Sequence, residues 1–380
     1  MAEELTVQYS NPTLPPFSKG EMGGLWPFAV CFILLALCSM LFAVEAEARM
    51  KGRCKDCHSM HSSTPFPVLT KGGCVGCHGQ VPDGTQNIIK IGKARIPQIL
   101  HHMADGDLAS GNFYYVADGY NPDYSKGHNV VGISHQESIP TMNVPPGFIG
   151  NVQIPGGVGP VYWPSEVQLT CSGTWGCHGN RTISDSYVSI YGAHHTHTGE
   201  IDGSTVGKSY RFLYGVTGVE HPDWEYLATV DNHNGYKGDI NYNTMDTISY
   251  LCGECHGVFH PSPNLGGARD VGTAYYGIWV RHPADIGFNT VHGGYANSEY
   301  LGYAIYSLDS PVAYFNPTGK DKVVNADSIV MCMSCHRAHA SNYPDSLRWD
   351  YSKISTTDMM REGCLICHTE KGGHVITPLH

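Results

Sequence analysis

Positive charge is scarce in this chain. Lysine and arginine number 23 against 34 aspartates and glutamates in 380 residues, a formal net charge of −11. There is no basic arm and no long block of like charge, which argues against nucleic acid and anionic membrane surfaces as partners. Charge of either sign is thin, at 15% of residues. An internal repeat of fixed period is also lacking, so repeat architectures have no support. What is abundant is glycine (45) and proline (23). So much turn chemistry points toward disorder, yet 23 tyrosines and 41% hydrophobic residues point to a packed object. Something other than helices and sheets is expected to fill its middle.

One long apolar run is present. Leu25 to Val44 (LWPFAVCFILLALCSMLFAV) is twenty residues without a charge, enough by length to span a bilayer. Ala46-Glu47-Ala48 follows it, an A-x-A pattern that fits cleavage before Arg49. Lys19 is the only basic residue upstream, and Met22 offers an alternative start. Residues 1–48 are read as a signal peptide, with a retained N-terminal anchor as the alternative. On either reading the remainder is exported.

Of fourteen cysteines, Cys31 and Cys38 lie inside the apolar run and the other twelve form six pairs. Five pairs have two residues between them and a histidine directly after: Cys54 and Cys57 with His58, Cys74 and Cys77 with His78, Cys252 and Cys255 with His256, Cys332 and Cys335 with His336, and Cys364 and Cys367 with His368. Disulfides or zinc would use the cysteines but leave the histidines unexplained. With 22 histidines in 380 residues, one after every pair by chance has a probability of about 10⁻⁸ to 10⁻⁷. C-x-x-C-H is the c-type haem signature. Two thioether bonds fix the porphyrin edge and the adjacent imidazole meets the iron.

The sixth pair, Cys171-Ser-Gly-Thr-Trp-Gly-Cys177-His178, has five intervening residues instead of two. Attachment requires two sulfurs to reach two vinyl groups, not a short loop between them. Gly173 and Gly176 are expected to take positive φ and bulge Thr174 and Trp175 outward. The alternative is a bond from Cys177 alone, with Cys171 free. Six covalently attached haems are expected.

Iron with two imidazoles is saturated and suits electron transfer, whereas an open sixth position suits catalysis or gas binding. Sixteen histidines remain after the six proximal ones. His61 follows His58 by three residues and His339 follows His336 by three, so each pair projects from one face of a turn. Neither can easily close its own haem, and each is expected to reach a neighbouring one. A solvated histidine is the alternative at both. His128, His194, His195, His233 and His282 lie in turn-like sequence and are further candidate ligands, against surface histidines in loops. Because His61 lies at one end of the mature chain, a haem of another copy would make its contact head-to-tail, and a heterologous contact that does not close builds a filament.

Several of these blocks together resemble one family. Cys54-Lys-Asp-Cys-His-Ser-Met-His61, Lys126-Gly-His128-Asn, Leu251-Cys-Gly-Glu-Cys-His-Gly-Val-Phe-His260 with Arg281-His282-Pro, and Cys332-Met-Ser-Cys-His-Arg-Ala-His-Ala-Ser341 resemble the extracellular multihaem c-type cytochromes that polymerise into conductive filaments, the OmcS and OmcE type. The likeness runs over most of residues 50–370, in the same order. It implies an irregular fold of low secondary structure, loops with short helical turns and short strands wrapped around a chain of six c-type haems. It further implies that His61 coordinates a haem of the adjacent subunit, the fifth one, on Cys332, Cys335 and His336. The chain departs from the pattern at the wide third motif. The stretch Gly192-Ala-His-His-Thr and the region of Trp224 and His233 look more like other multihaem surface cytochromes.

Residues 49–130 hold the first haem pair, 131–330 a Gly/Tyr-rich wrap with the third and fourth haems, and 331–380 the last pair, with 49–380 one structural unit. Ser209-Tyr-Arg-Phe-Leu-Tyr and Thr273-Ala-Tyr-Tyr-Gly-Ile-Trp-Val read as short strands or hairpins. Helices are expected as short turns at the attachment sites and over 357–362. Without haem no stable fold is expected. The leading reading is an electron-transfer protein and not an enzyme. Its partners are other copies of itself, other multihaem cytochromes or extracellular electron acceptors. The alternatives are a monomeric periplasmic or membrane-anchored carrier and a multihaem reductase.

Overall fold

A computed structural model of the chain describes residues 52–59, 69–70, 72–80, 84–102, 106–136, 144–148, 163–164, 167–193, 201–265, 284–288, 306–321, 328–355 and 362–368. The chain divides after Ala46, and all described residues belong to the second unit, Glu47–His380.

Among the described residues, regular elements are short. The helices are α1 (Cys54–Cys57), α2 (Cys74–His78), α3 (Ser186–Ser189) and α4 (Ile248–Gly253). Helices of four to six residues are below the length that sustains a helix alone, so what surrounds them must hold them. Thr247 caps α4 by accepting from the Tyr250 amide, and the helix buries Ile248, Tyr250 and Leu251. Tight turns at Cys332–Ser334 and Gly363–Ile366 occupy the fifth and sixth motifs. Among the described residues strands pair two at a time: β1 (Ile88–Ile91) with β2 (Ala94–Pro97), β3 (Thr170–Ser172) with β4 (Gly176–His178), β5 (Gly218–Val219) with β6 (Gly235–Tyr236), and β7 (Ile286–Gly287) with β8 (Ile329–Val330). The fold is irregular, as the glycine and proline content implies.

Ser209–Tyr214 is not a strand. It follows a tight turn at Val206–Lys208 and forms another at Tyr210–Phe212, with Arg211 and Phe212 at φ 49° and 60°. Its buried apolar side chains are Tyr210 and Leu213, three apart, so the apolar period that matters is a turn's and not a strand's. The reversal is held by Tyr210 N–H on Val216 O (2.8 Å) and by Arg211, whose guanidinium donates to His221 O and Asn234 Oδ1. Thr273–Val280 and residues 357–361 lie outside the described residues; Glu362 is extended.

The apolar core is divided. One cluster joins Leu100, Phe113, Val116, Val130 and Ala340, with Val75 and Cys171 packed against it. A second joins Tyr210, Tyr236, Ile248, Leu251, Ile329, Met331 and Met333. A third joins Phe288, Tyr306, Val312, Val330 and Ile366, with Cys367 against it. A domain of this size ordinarily has one contiguous core. Among the described residues each cluster instead abuts cysteine motifs: second and third, fourth and fifth, and sixth.

Three distant segments form a braid. Asn112 N–H donates to Ala340 O (3.0 Å), His128 N–H to His339 O (2.9 Å), His339 N–H to Ser110 O (2.8 Å) and Ser341 N–H to Lys126 O (3.1 Å). Gly111 permits this closeness: it has φ +89°, and a Cβ there would collide with Ala340 O. Gly111→Ala is therefore expected to destabilise the protein by about 3 kcal/mol, from left-handed strain plus overpacking. Thermal unfolding of the purified protein measures it, and an unchanged midpoint would contradict the braid.

Candidate haem sites

A carbonyl oxygen can only accept a hydrogen bond. An imidazole whose Nδ1 faces one must carry its proton there, which leaves the Nε2 lone pair for a metal. Four motif histidines are held in this way. His78 Nδ1 donates to Pro97 O (2.9 Å), His178 Nδ1 to Arg211 O (3.0 Å), His256 Nδ1 to Pro146 O (2.8 Å) and His336 Nδ1 to Asp345 O (2.7 Å). The carbonyls come from far along the chain in the first three cases. Pro97 closes β2, and Arg211 sits in the strained turn described above, which explains why that turn is needed. His58 opens an isolated bridge to Thr70, and His368 closes on Cys364 O through its amide.

Two further histidines face motif histidines. The His128 and His256 ring centroids are 6.0 Å apart, and those of His178 and His339 are 6.3 Å apart. Two imidazole nitrogens bound to one metal at about 2 Å each put their ring centres about 6 Å apart. His128 Nδ1 donates to Ala338 O (2.7 Å), so it too presents Nε2 inward. The His339 Nδ1 turns toward the Gly111 backbone without closing a full hydrogen bond, and its ring stacks on Phe113 at 4.6 Å. Burial, then the neighbouring His178, pushes His339 down to about 3. Burial, then His128, pushes His256 to about 4. Burial also lowers His78, His128 and His178. All five rings are neutral near pH 7, the state a metal ligand requires. His128 and His339 come from one braid, so the same three strands of chain supply both partners.

The other candidates differ. His233 is buried, with Nδ1 on Asn234 O (2.7 Å) and Nε2 3.2 Å from Asp321 O, and it stacks on Tyr306 at 3.9 Å. His61, His194, His195 and His282 lie outside the described residues. His260 is occupied at both nitrogens, by Asp285 Oδ2 (2.9 Å) and the Ser262 amide (3.1 Å). His221 lies between Asp223 and Asn232. His101 is a residue that spacing did not single out. It is 1% exposed, its backbone is clamped by Asn112, and its Nε2 is buried with no partner among the described residues. Leu100-His101-His102 follows no motif, so only burial could have found it.

The attachment cysteines keep access to their surroundings. Cys54 and Cys177 are exposed, and Cys57, Cys74, Cys77, Cys171, Cys252, Cys255, Cys332, Cys335, Cys364 and Cys367 are half-buried. The end of α2 shows how one such sulfur is placed. Gln98 Nε2 donates to the Cys77 carbonyl (3.0 Å), and the adjacent Pro97 carbonyl holds His78. Cys77 and its histidine are thus both fixed by the end of the β1–β2 hairpin.

The third motif reaches the same end by another route. Thr170 pairs with Gly176 and Ser172 with His178, both in parallel. A true parallel crossover needs a dozen or more residues, so this is one broad coil in which residues six apart lie side by side. Cys171 then stands beside Cys177 at about the 4.8 Å spacing of adjacent strands. A helical turn brings residues three apart to about 5–6 Å. The wide loop thus restores the separation that two intervening residues give elsewhere. Gly173 takes φ +89° as expected, but Gly176 does not take positive φ. It is needed because a Cβ would collide with Ser172 N. Nor does Trp175 bulge outward. Its ring packs edge-on against Trp163 at 4.9 Å, and Trp163 against Phe148 at 6.0 Å. Phe148 lies two residues after the Pro146 carbonyl that orients His256.

The motifs also follow one another in space. The Cys74 thiol contacts Cys171, and Cys252 contacts Cys332, each within hydrogen-bonding range. Arg181 lies close to Cys177 and Cys255, and Cys335 close to Cys367. The β1–β2 hairpin lies by the first two motifs: Gly92 meets Asp56, and Pro97 holds His78. None of the twelve cysteines is in a disulfide. Among the described residues no three Cys, His, Asp or Glu side chains converge as a zinc site needs. Imidazoles facing at this spacing, an orphaned buried Nε2 and a core split around the motifs all fit haem.

A family model described as a doubled CXXCH motif matches residues 322–373, which hold the fifth and sixth motifs. The C-type cytochrome OmcS of Geobacter sulfurreducens is 24% identical over 373 residues, 80% of this chain and 80% of that protein. Among solved structures, the OmcS nanowires of Geobacter sulfurreducens share 19% identity over 81% of this chain and 86% of theirs, with a TM-score of 0.41. A second, the Outer Membrane Cytochrome S filament of the same organism, shares 17% over 82% and 87%, with a TM-score of 0.37. The motifs and the curated relative point the same way: over four fifths of its length the chain is similar to a multihaem c-type cytochrome of the OmcS type.

Proposed function

We propose that the mature chain carries six covalently attached c-type haems and conducts electrons along them, extracellularly, as a head-to-tail filament of its own copies. The observation that carries this reading is the pair of facing imidazole sets, His128 with His256 and His178 with His339. Each joins a motif to a distant segment, as a two-ligand iron would. Bound haem supplies one-electron exchange at saturated iron. The chain holds both axial sides, fixes His78, His128, His178, His256 and His336 through backbone carbonyls and sets the order of the motifs. The second haem takes Cys74, Cys77 and His78. The third takes Cys171, Cys177, His178 and His339; the fourth takes Cys252, Cys255, His256 and His128. Distal places on the other haems fall to His61 and to three of His101, His194, His195, His233 and His282. His61 reaches the fifth haem of the adjacent copy, which makes the polymer.

Support for export comes from the apolar run and the A-x-A pattern after it, and for the filament from the likeness to OmcS. The twenty-residue length of the apolar run favours a second reading, a membrane-anchored monomeric carrier. Other multihaem cytochromes and extracellular acceptors are the proposed partners in exchange, and the saturated irons leave no place for a reductase substrate.

The intact mass of the exported protein is expected to include six haems; five would mean that the third motif is not loaded. His339→Ala and His128→Ala should each convert one haem in six from low to high spin and make it bind carbon monoxide when reduced. Low-spin iron throughout, by electron paramagnetic resonance, would refute those ligand assignments. His61→Ala should leave subunit-sized particles carrying six haems in place of filaments. Negative-stain microscopy and mass photometry read this, and intact filaments in the variant would sink the head-to-tail bond.

A further inference from the structure

Arg181 lies three residues after His178, and Glu254 lies inside the Cys252–Cys255 loop of the next motif. The Arg181 guanidinium contacts the Glu254 carboxylate with the side chains 9% and 1% exposed. Among the described residues no other lysine or arginine pairs with a carboxylate while both partners are so buried. Arg95–Asp223, Lys237–Asp246 and Lys208–Asp202 each keep one partner at least about 30% exposed, as the 42%, 30% and 35% values show. Arg181 is also close to the sulfurs of both motifs, Cys255, Cys177 and Cys252, and burial works against its charge. A chain poor in arginine has put one, with a counter-charge, between two haem attachment loops.

Stability does not explain it. Burying two charges costs several kcal/mol per ion, and apolar residues of like volume often serve as well or better. Neither residue is an attachment cysteine or an axial ligand. What such charges do act on is the potential of nearby haem iron, through net charge in a low dielectric. We propose that Arg181 and Glu254 form a redox-tuning pair shared by the third and fourth haems, the carboxylate holding both potentials down and the guanidinium holding both up. This rests on the reading that haems are attached at Cys171 and Cys177 and at Cys252 and Cys255. A carboxylate near iron stabilises the ferric form, which carries one more positive charge; a guanidinium favours the ferrous form. With both present the two opposing fields offset each other only in part, and the remainder, unequal at the two irons, sets the step in potential between the two haems.

The test is a spectroelectrochemical titration of the full exported protein, after its mass has been shown to include six haems. A protein with fewer than six would count against the attachment reading, not against the pair. Glu254→Gln, which removes the charge at nearly the same volume, should move two of six potentials upward. Arg181→Gln should move the same two downward, while Arg181→Lys keeps the charge and should lower thermal stability without moving them. Shifts of the same sign in the two glutamine variants, or no shift, overturn the proposal. Breaking a buried pair can prevent folding, so the charge-free double variant Arg181→Met/Glu254→Leu is titrated too. Two contacting charges between two irons cannot act equally on both, so its curve should differ from the parent's at two waves; a superimposable curve overturns the proposal.

Discussion

An imidazole held by a backbone carbonyl at Nδ1 and open at Nε2 is the constraint on which the rest of this structure depends. It dictates where carbonyls must be. Pro97, Arg211, Pro146, Asp345 and Ala338 are each placed to receive such a ring. Two of these requirements account for local features that have no other reason. Arg211 adopts φ 49° so that its carbonyl turns toward His178 while its guanidinium reaches Asn234. Pro146 is buttressed through Gly147, whose carbonyl accepts from Val258 at 2.9 Å, directly beyond the fourth motif. The backbone follows the rings, and this is why so little of it is helix or sheet.

The divided core has the same origin. Tyr210, Tyr236, Met331 and Met333 pack in one patch and Phe288, Tyr306 and Ile366 in another, and among the described residues each patch ends at a cysteine motif. Flat aromatic groups set between the patches would join them, and the polypeptide alone does not. In the proposed reading most of the folding free energy lies in ligand and thioether bonds, because loop segments bury too little apolar surface to offset the ordering of their backbones.

How far the sequence was legible depends on which interaction fixes each feature. Thioether chemistry fixes the cysteine spacing and the adjacent histidine, so all six motifs stand out, as does the irregular fold from glycine and proline. The wide third motif was visible as a spacing but not as a shape. Gly176 serves close approach and not a positive φ, and Trp175 packs inward on Trp163, because the coil must bring residues six apart together. Ser209–Tyr214 misled because its aromatic alternation concerns stacking, while its backbone answers to His178 and Val216. The hold of Gln98 on the Cys77 carbonyl joins residues 21 apart, and no local pattern announces it. His101 carries no spacing signal at all; only the burial of an unpartnered Nε2 marks it.

The third and fourth motifs have more in common than adjacency. His339 and His128, the rings facing them, hang from one braid in which His128 N–H is bonded to His339 O. The Trp175–Trp163–Phe148 contacts run from the third loop to the segment that orients His256. The buried Arg181–Glu254 pair joins the same two loops. A displacement at either site is therefore transmitted by backbone, by packing and by charge. The fourth and fifth motifs are joined as well, by Cys252 with Cys332, by Cys332 N–H on Ser249 Oγ (3.3 Å) and by the cluster that holds Leu251, Met331 and Met333. The wide motif occurs at the third of these sites, and its longer loop supplies the tryptophan whose packing runs toward the fourth.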